Sequence, residues 1–161
     1  MKSLVLVTLF TFVINIFLNV YAQDLTKARI RKLNLSKKAI YIDNGIFHNG
    51  STKVVSNIKA MRHSFAKKEG YERVVFDFST PQIPRVYGNF NSKDKKIFID
   101  FFDTTLDGAI KSFGKTRFVE EIKFFPVSED SLSLELSLKD NVSIDIFYLE
   151  NPGRLVMDVK K

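Results

Sequence analysis

Two aspartates, Asp100 and Asp158, sit at matched places in the chain, and two carboxylates held a few ångströms apart can hydrolyse a glycosidic bond. Each closes a short run of one basic and three apolar residues, Lys96-Ile97-Phe98-Ile99-Asp100 and Arg154-Leu155-Val156-Met157-Asp158. An aspartate in such a setting more often pairs with an arginine or caps a turn, with Arg73 and Arg154 as the available partners. A zinc hydrolase needs several His and acidic ligands converging on one ion. The chain has only two histidines, His48 and His63, with no third ligand at motif spacing. It has no cysteine to act as a nucleophile, and no Gly-x-Ser-x-Gly, phosphate loop or dinucleotide fingerprint occurs. These residues predict no catalytic site, no metal and no cofactor.

Binding chemistry is better represented. Exposed aromatics hold sugar rings, and planar arginine forks suit carboxylates. The predicted outward set in the first half is Lys59, Arg62, Arg85, Tyr87 and Asn89, with Arg117 and Lys123 opening the second half. The competing reading of each is an ordinary solvated sheet face. Phenylalanine is abundant, with 16 in the chain. Phe76, Phe78, Phe90 and Phe101 fit a core, whereas Phe98, Phe102, Phe125 and Phe147 fall on the opposite faces of their strands. Left exposed they form an adhesive patch, to be covered by the N-terminal segment or by a partner.

The elements that must position these groups are strands. Leu132, Leu134, Leu136 and Leu138 alternate with Ser131, Ser133, Glu135 and Ser137, and a period of two is the mark of a half-buried strand. Val142, Ile144, Ile146 and Tyr148 repeat the pattern, with Asp140-Asn141 predicted as a hairpin turn between the two. Asn151-Pro152-Gly153 predicts another turn, and residues 154–160 a third strand completing an antiparallel meander. In the first half the predicted strands are 73–78, 86–90 (interrupted by Gly88) and 96–102, with a turn at 91–94.

The halves form a weak repeat. Each opens on an Ile-Lys strand, Val55-x-x-Ile58-Lys59 and Val119-x-x-Ile122-Lys123, and each ends on the aspartate motif. The first half is six residues longer between Ile58 and Asp100 than the second between Ile122 and Asp158 (42 − 36 = 6), an excess placed at residues 66–71. Two such amphipathic units, each of three to four antiparallel strands, predict an all-β, two-sheet sandwich. Residues 106–113, in the link between halves, hold at most one helical turn. Residues 23–54 read as an N-terminal extension, either further sandwich or partly unordered. Within it 25–33 fits helix or strand equally, and 39–43 reads as a short strand ending at the turn signal Asn44-Gly45.

Residues 1–22 read as a secretory signal peptide: Lys2, an apolar run from Leu4 to Val20, then Val20-Tyr21-Ala22 before a cut at Gln23. The run is near the lower limit for spanning a bilayer, and Asn15 and Asn19 weaken it as a retained anchor. Cleavage leaves 161 − 22 = 139 residues, an ordinary single domain. An exported chain without cysteine must rely on its core alone, which points to a bacterial periplasm and away from nucleic acid. The formal net charge is +7, favouring polyanionic partners or serving solubility.

Glu72-Arg73-Val74-Val75-Phe76-Asp77-Phe78, then Ile97-Phe98-Ile99-Asp100 with Thr104-Thr105-Leu106, then Asn151-Pro152-Gly153-Arg154-Leu155-Val156-Met157-Asp158-Val159 together resemble the AMIN domain. That family shows an Arg-apolar-apolar-apolar-Asp strand and a closing Asn-Pro-x-Arg-Leu-Val-x-Asp strand. The resemblance covers roughly residues 55–160. It implies a β-sandwich of two similar sheets from the bacterial envelope, binding peptidoglycan and keeping a parent protein near the wall, with Arg73, Asp100, Arg154 and Asp158 as motif residues. AMIN modules usually precede an amidase or secretin domain, whereas this sequence stops at Lys161, so the resemblance implies the targeting role and not the amidase. The expectation is an exported, noncatalytic adaptor whose partner is peptidoglycan or an envelope protein. The alternative is a protein–protein module of a periplasmic secretion, pilus or division complex.

Overall fold

Alternation of apolar and polar side chains dictates the main elements, and eleven strands result in the computed structural model, which describes residues 30–33, 39–108, 110 and 116–161. They are β1 (Ile30–Lys32), β2 (Asn44–His48), β3 (Ser56–Ala66), β4 (Tyr71–Phe78), β5 (Val86–Asn91), β6 (Lys96–Phe102), β7 (Thr104–Leu106), β8 (Val119–Ser128), β9 (Ser131–Leu138), β10 (Ser143–Leu149) and β11 (Arg154–Lys160). One 3-10 turn, Ser92–Asp94, joins β5 to β6 and is capped by the Asn91 side chain, which accepts from the Lys93 amide. The predicted signal peptide and residues 25–29 lie outside the described residues, as does half of the predicted helical turn of the 106–113 link.

The strands form two sheets, β1-β2-β5-β6-β9-β8 and β10-β11-β4-β3-β7, mostly antiparallel. The protein is an all-β, two-sheet sandwich. Phe76, Phe101 and Phe90 from opposite sheets fill its centre with Leu134, Leu136, Ile99, Leu155 and Met157. Phe101 packs at tilted angles against Phe76 and Phe78, with ring centroids 5.9 and 5.8 Å away.

The allocation of strands corrects the sequence reading in one major respect. The two halves do not each make a sheet. Each half folds as two hairpins, and each sheet takes one hairpin from each half: β3-β4 joins β11-β10, and β5-β6 joins β9-β8. Exchanging the halves turns the order β10-β11-β4-β3 into β5-β6-β9-β8. The Asp140-Asn141 link is therefore no hairpin turn, and 131–160 is no meander, because β9 and β10 lie in different sheets. Residues 139–142 reach about 13 Å when extended, enough to cross the roughly 10 Å between packed sheets. Period two fixes which face of a strand is apolar and leaves its neighbour unspecified.

Two further corrections are local. Asn44-Gly45 does not end a strand; it begins β2, where Gly45 keeps a positive φ of 139° while paired with Phe90. The residues before it make only an isolated bridge, Ile42 to Ile144. The extra length of the first half is divided: residues 67–70 join β3 to β4 where only 129–130 join β8 to β9, and 79–85 join β4 to β5 where 139–142 join β9 to β10.

The segment before residue 55 extends the sandwich through β2, whose Phe47 is fully buried. Its ring lies over Gly88 of β5, where an added Cβ would come within 2.1 Å of it. The glycine that interrupts the pattern of β5 is the socket for that phenylalanine.

Candidate functional site

Pleating sends alternate residues of the six-stranded sheet outward in rows. One row is Asn89, Phe98, Glu135 and Lys123; the next is Tyr87, Asp100, Ser133 and Phe125. Tyr87, Phe98, Phe102 and Phe125 are 41%, 44%, 38% and 46% exposed, so neither the core nor the N-terminal strands cover them. Cations lie against two of the rings: the Arg85 guanidinium is 5.4 Å from the Phe102 centroid and the Lys96 ammonium 5.9 Å from that of Phe98.

These cations are held in place by carboxylates. Lys96 pairs with Glu135 at 2.7 Å, and that hydrogen bond holds the Glu135 carboxyl below its ordinary range. Lys123 pairs with Glu121 at 2.7 Å, which raises the lysine. Arg85 and Lys53 converge on Asp103 at 2.9 and 3.2 Å. Burial disfavours the charged form of Asp103, but the two hydrogen bonds outweigh it and its carboxyl ends below the ordinary value. Beside them His48, Ser51, Arg85, Tyr87 and Phe102 line a recess of about 250 Å³.

The outer face of the five-stranded sheet is different. Arg73 donates two hydrogen bonds to Asp158, at 2.6 and 2.7 Å, and Arg62 donates two to Asp77, at 2.6 and 2.7 Å. Both pairs raise their arginines further, chiefly through those hydrogen bonds. Arg73 also lies over the rings of Tyr71 and Phe147. Arg154 stands beside Asp77 in the ladder, yet Asp77 is occupied by Arg62. The two motif aspartates are thus on opposite outer faces and form no carboxylate pair. Asp100 accepts from the Ser133 hydroxyl and not, as expected, from an arginine, and Arg154 has no carboxylate partner among the described residues.

The predicted binding residues do not converge. Arg85, Tyr87, Asn89 and Lys123 share the six-stranded face. Arg62 lies on the five-stranded face with Arg73 and Arg154, and Lys59 is exposed at the β3 bulge between Ile58 and Ala60. Arg117 sits at one end of the sandwich, 4.7 Å from the Phe65 ring and 5.7 Å from that of Phe118. There the buried Glu72 accepts the Phe118 amide at 2.8 Å and lies 3.6 Å from His63. Sequence reasoning missed Asp77 and Glu72; the outward alternation Arg73-x-Val75-x-Asp77 was the available signal for the first.

Among the described residues no group of three His, Asp or Glu side chains could hold a metal ion. No protein-family model matches the chain, and no curated protein matches it.

Proposed function

We propose that this is an exported, noncatalytic module of AMIN type that binds peptidoglycan through the outer face of its six-stranded sheet and acts as a localisation adaptor in the bacterial envelope. The observation that carries the reading is the set of four half-exposed rings, Tyr87, Phe98, Phe102 and Phe125, on one face with cations held beside two of them. Flat rings take the apolar faces of sugars, and fixed cations meet the carboxylates of an anionic polymer. A sandwich assembled from two similar halves accords with the AMIN resemblance, and the leader-like first residues accord with export. No bond is broken and no cofactor is required; affinity comes from ring contact and charge.

Cosedimentation with purified sacculi tests the reading. Retention of the wild type at low salt, reduced at least tenfold by Tyr87→Ala with Phe98→Ala, is the expected result. Wild-type protein left wholly in the supernatant would sink the idea.

The same rings also favour a second reading, a protein–protein module of a secretion, pilus or division complex. Val127, 66% exposed near the end of β8, extends the apolar surface. Exposed apolar patches mark interaction sites. That reading predicts indifference to sacculi and recovery of one defined envelope partner, lost in the same double variant.

A further inference from the structure

A groove of about 320 Å³ crosses the outer face of the five-stranded sheet, on the side of the sandwich away from the exposed rings. Its floor is apolar, made of Val75, Val156, Phe147 and Leu149, and its walls carry Arg62, Arg73 and Arg154. We propose that this groove binds a short peptide by its free terminal carboxylate, with Arg154 as the receiving fork and the last, small apolar side chain on the floor.

The three arginines are not equivalent. Arg62 and Arg73 each spend their forks on an aspartate of the same face. Arg154 does not: its Nε is buried and has no hydrogen-bond partner among the described residues. A buried guanidinium N–H left without an acceptor is costly, because its water has been removed and nothing replaces it. The Asp77 carboxylate alongside is already engaged by Arg62, so the fold supplies a donor and withholds the acceptor. A carboxylate entering the groove meets the Nη side of this guanidinium, which lines the groove, in the bidentate geometry that guanidinium favours.

The dimensions and lining select the rest of the ligand. The groove is lined from β3, β4, β11 and β10, and three inter-strand spacings amount to about 14 Å. That length accommodates about four extended residues. An inorganic anion would use the charge and leave the apolar floor bare, whereas a peptide end uses both. Ser64, which faces outward beside Arg73, supplies a polar contact for the peptide backbone. This site shares no residue with the ring-bearing face and stands whether or not that face holds glycan.

Titration calorimetry of the full chain at low salt tests it, with diacetyl-Lys-D-Ala-D-Ala as probe. Its C-terminal amide, its all-L isomer and inorganic phosphate are the comparisons. The free acid is expected to bind at least tenfold more tightly than the amide and more tightly than phosphate. Arg154→Leu is expected to reduce binding at least tenfold while the melting temperature holds or rises, since the orphaned donor is gone. Should that variant fail to fold, Arg154→Lys retains the charge without the fork and is expected to bind several-fold more weakly. Equal binding of acid and amide, phosphate binding as tight as the peptide, or an Arg154 variant that folds and binds unchanged would each overturn the proposal. A preference for the D-ended probe over its all-L isomer supports it and ties the groove to wall peptides; equal binding of both acids supports it as a general peptide-end site. Loss of sacculus binding in the Tyr87 and Phe98 variants leaves these results untouched, so the two readings fail separately.

Discussion

Arg73 grips Asp158 across the β4–β11 ladder with Nε 2.6 Å from one carboxylate oxygen and Nη2 2.7 Å from the other. The next residue along that row is Asp145, directly opposite Asp158 on β10. Like charges placed opposite each other destabilise a strand pair, so the arginine offsets a repulsion as well as forming a pair. Asp158 is buried while Arg73 is about one-third exposed. Removing the arginine therefore leaves the worse orphan. Arg73→Met is expected to cost about 3 kcal/mol and Asp158→Asn less, read as shifts in the urea midpoint. Equal effects would show that Asp145 does not contribute.

The duplicated position offers an internal control. Asp100 occupies on β6 the place of Asp158 on β11, and Ser133 on β9 occupies that of Arg73 on β4. A neutral hydroxyl replaces the fork, so Ser133→Ala is expected to cost only about 1 kcal/mol in the same denaturation measurement.

Gly88→Ala drives a methyl into the Phe47 ring, whose nearest atoms lie 2.1 and 2.3 Å from the added Cβ. Because a buried ring cannot step aside, the cost is expected to reach about 2–3 kcal/mol. Truncation of Phe47 alone opens a cavity, with a cost of about 3–5 kcal/mol. The double variant Gly88→Ala with Phe47→Leu is expected to be markedly more stable than the sum of its singles predicts. Strict additivity in a double-mutant cycle would contradict the socket geometry.

Gly153 belongs to the motif Asn151-Pro152-Gly153, whose role here is docking. Its amide donates to Thr80 at 3.0 Å and the Asn151 amide to Pro81 at 2.9 Å, and a Cβ on Gly153 would meet the Thr80 and Gln82 carbonyl oxygens at 2.7 Å. Both obstacles are backbone. Gly153→Ala is expected to cost about 1–3 kcal/mol, with the melting temperature as the readout.

Acid stability carries a sign set by Asp103. Its folded-state carboxyl lies below its ordinary value of 3.8, so the stability it contributes is complete above that pH and is lost as pH falls through the lower folded value. Unfolding curves between pH 5 and pH 2, about the range in which carboxylates titrate, are expected to show a smaller acid loss for Asp103→Asn than for the wild type. An unchanged acid profile would remove the Arg85–Asp103–Lys53 cluster from the account.

Much of the strand content was legible because alternation is a local property. Leu132 to Leu138 and Ile97 to Phe101 announce their buried faces without reference to anything else. What alternation does not encode is company: β9 reads the same whether β10 or β6 lies beside it, and only the crossing at 139–142 decides. Asn44-Gly45 misled because glycine was needed for a positive φ inside a strand pair, where turn chemistry and strand chemistry use the same residue. The equivalence of Asp100 and Asp158 was visible, but their different partners were not, since Ser133 and Arg73 are brought opposite them only by pairing between halves. The grouping of Arg62, Arg73 and Arg154 on one face has the same origin.

That interleaving constrains how such a molecule can exist in pieces. Both central ladders, β4 with β11 and β6 with β9, run between the halves, so a lone half presents two open edges and only part of each layer. A second copy of the same half is the natural complement to both edges at once, which makes the continuous chain equivalent to a pair of exchanged subunits joined end to end. Severed between β7 and β8, the fragments have each other as their only native mates.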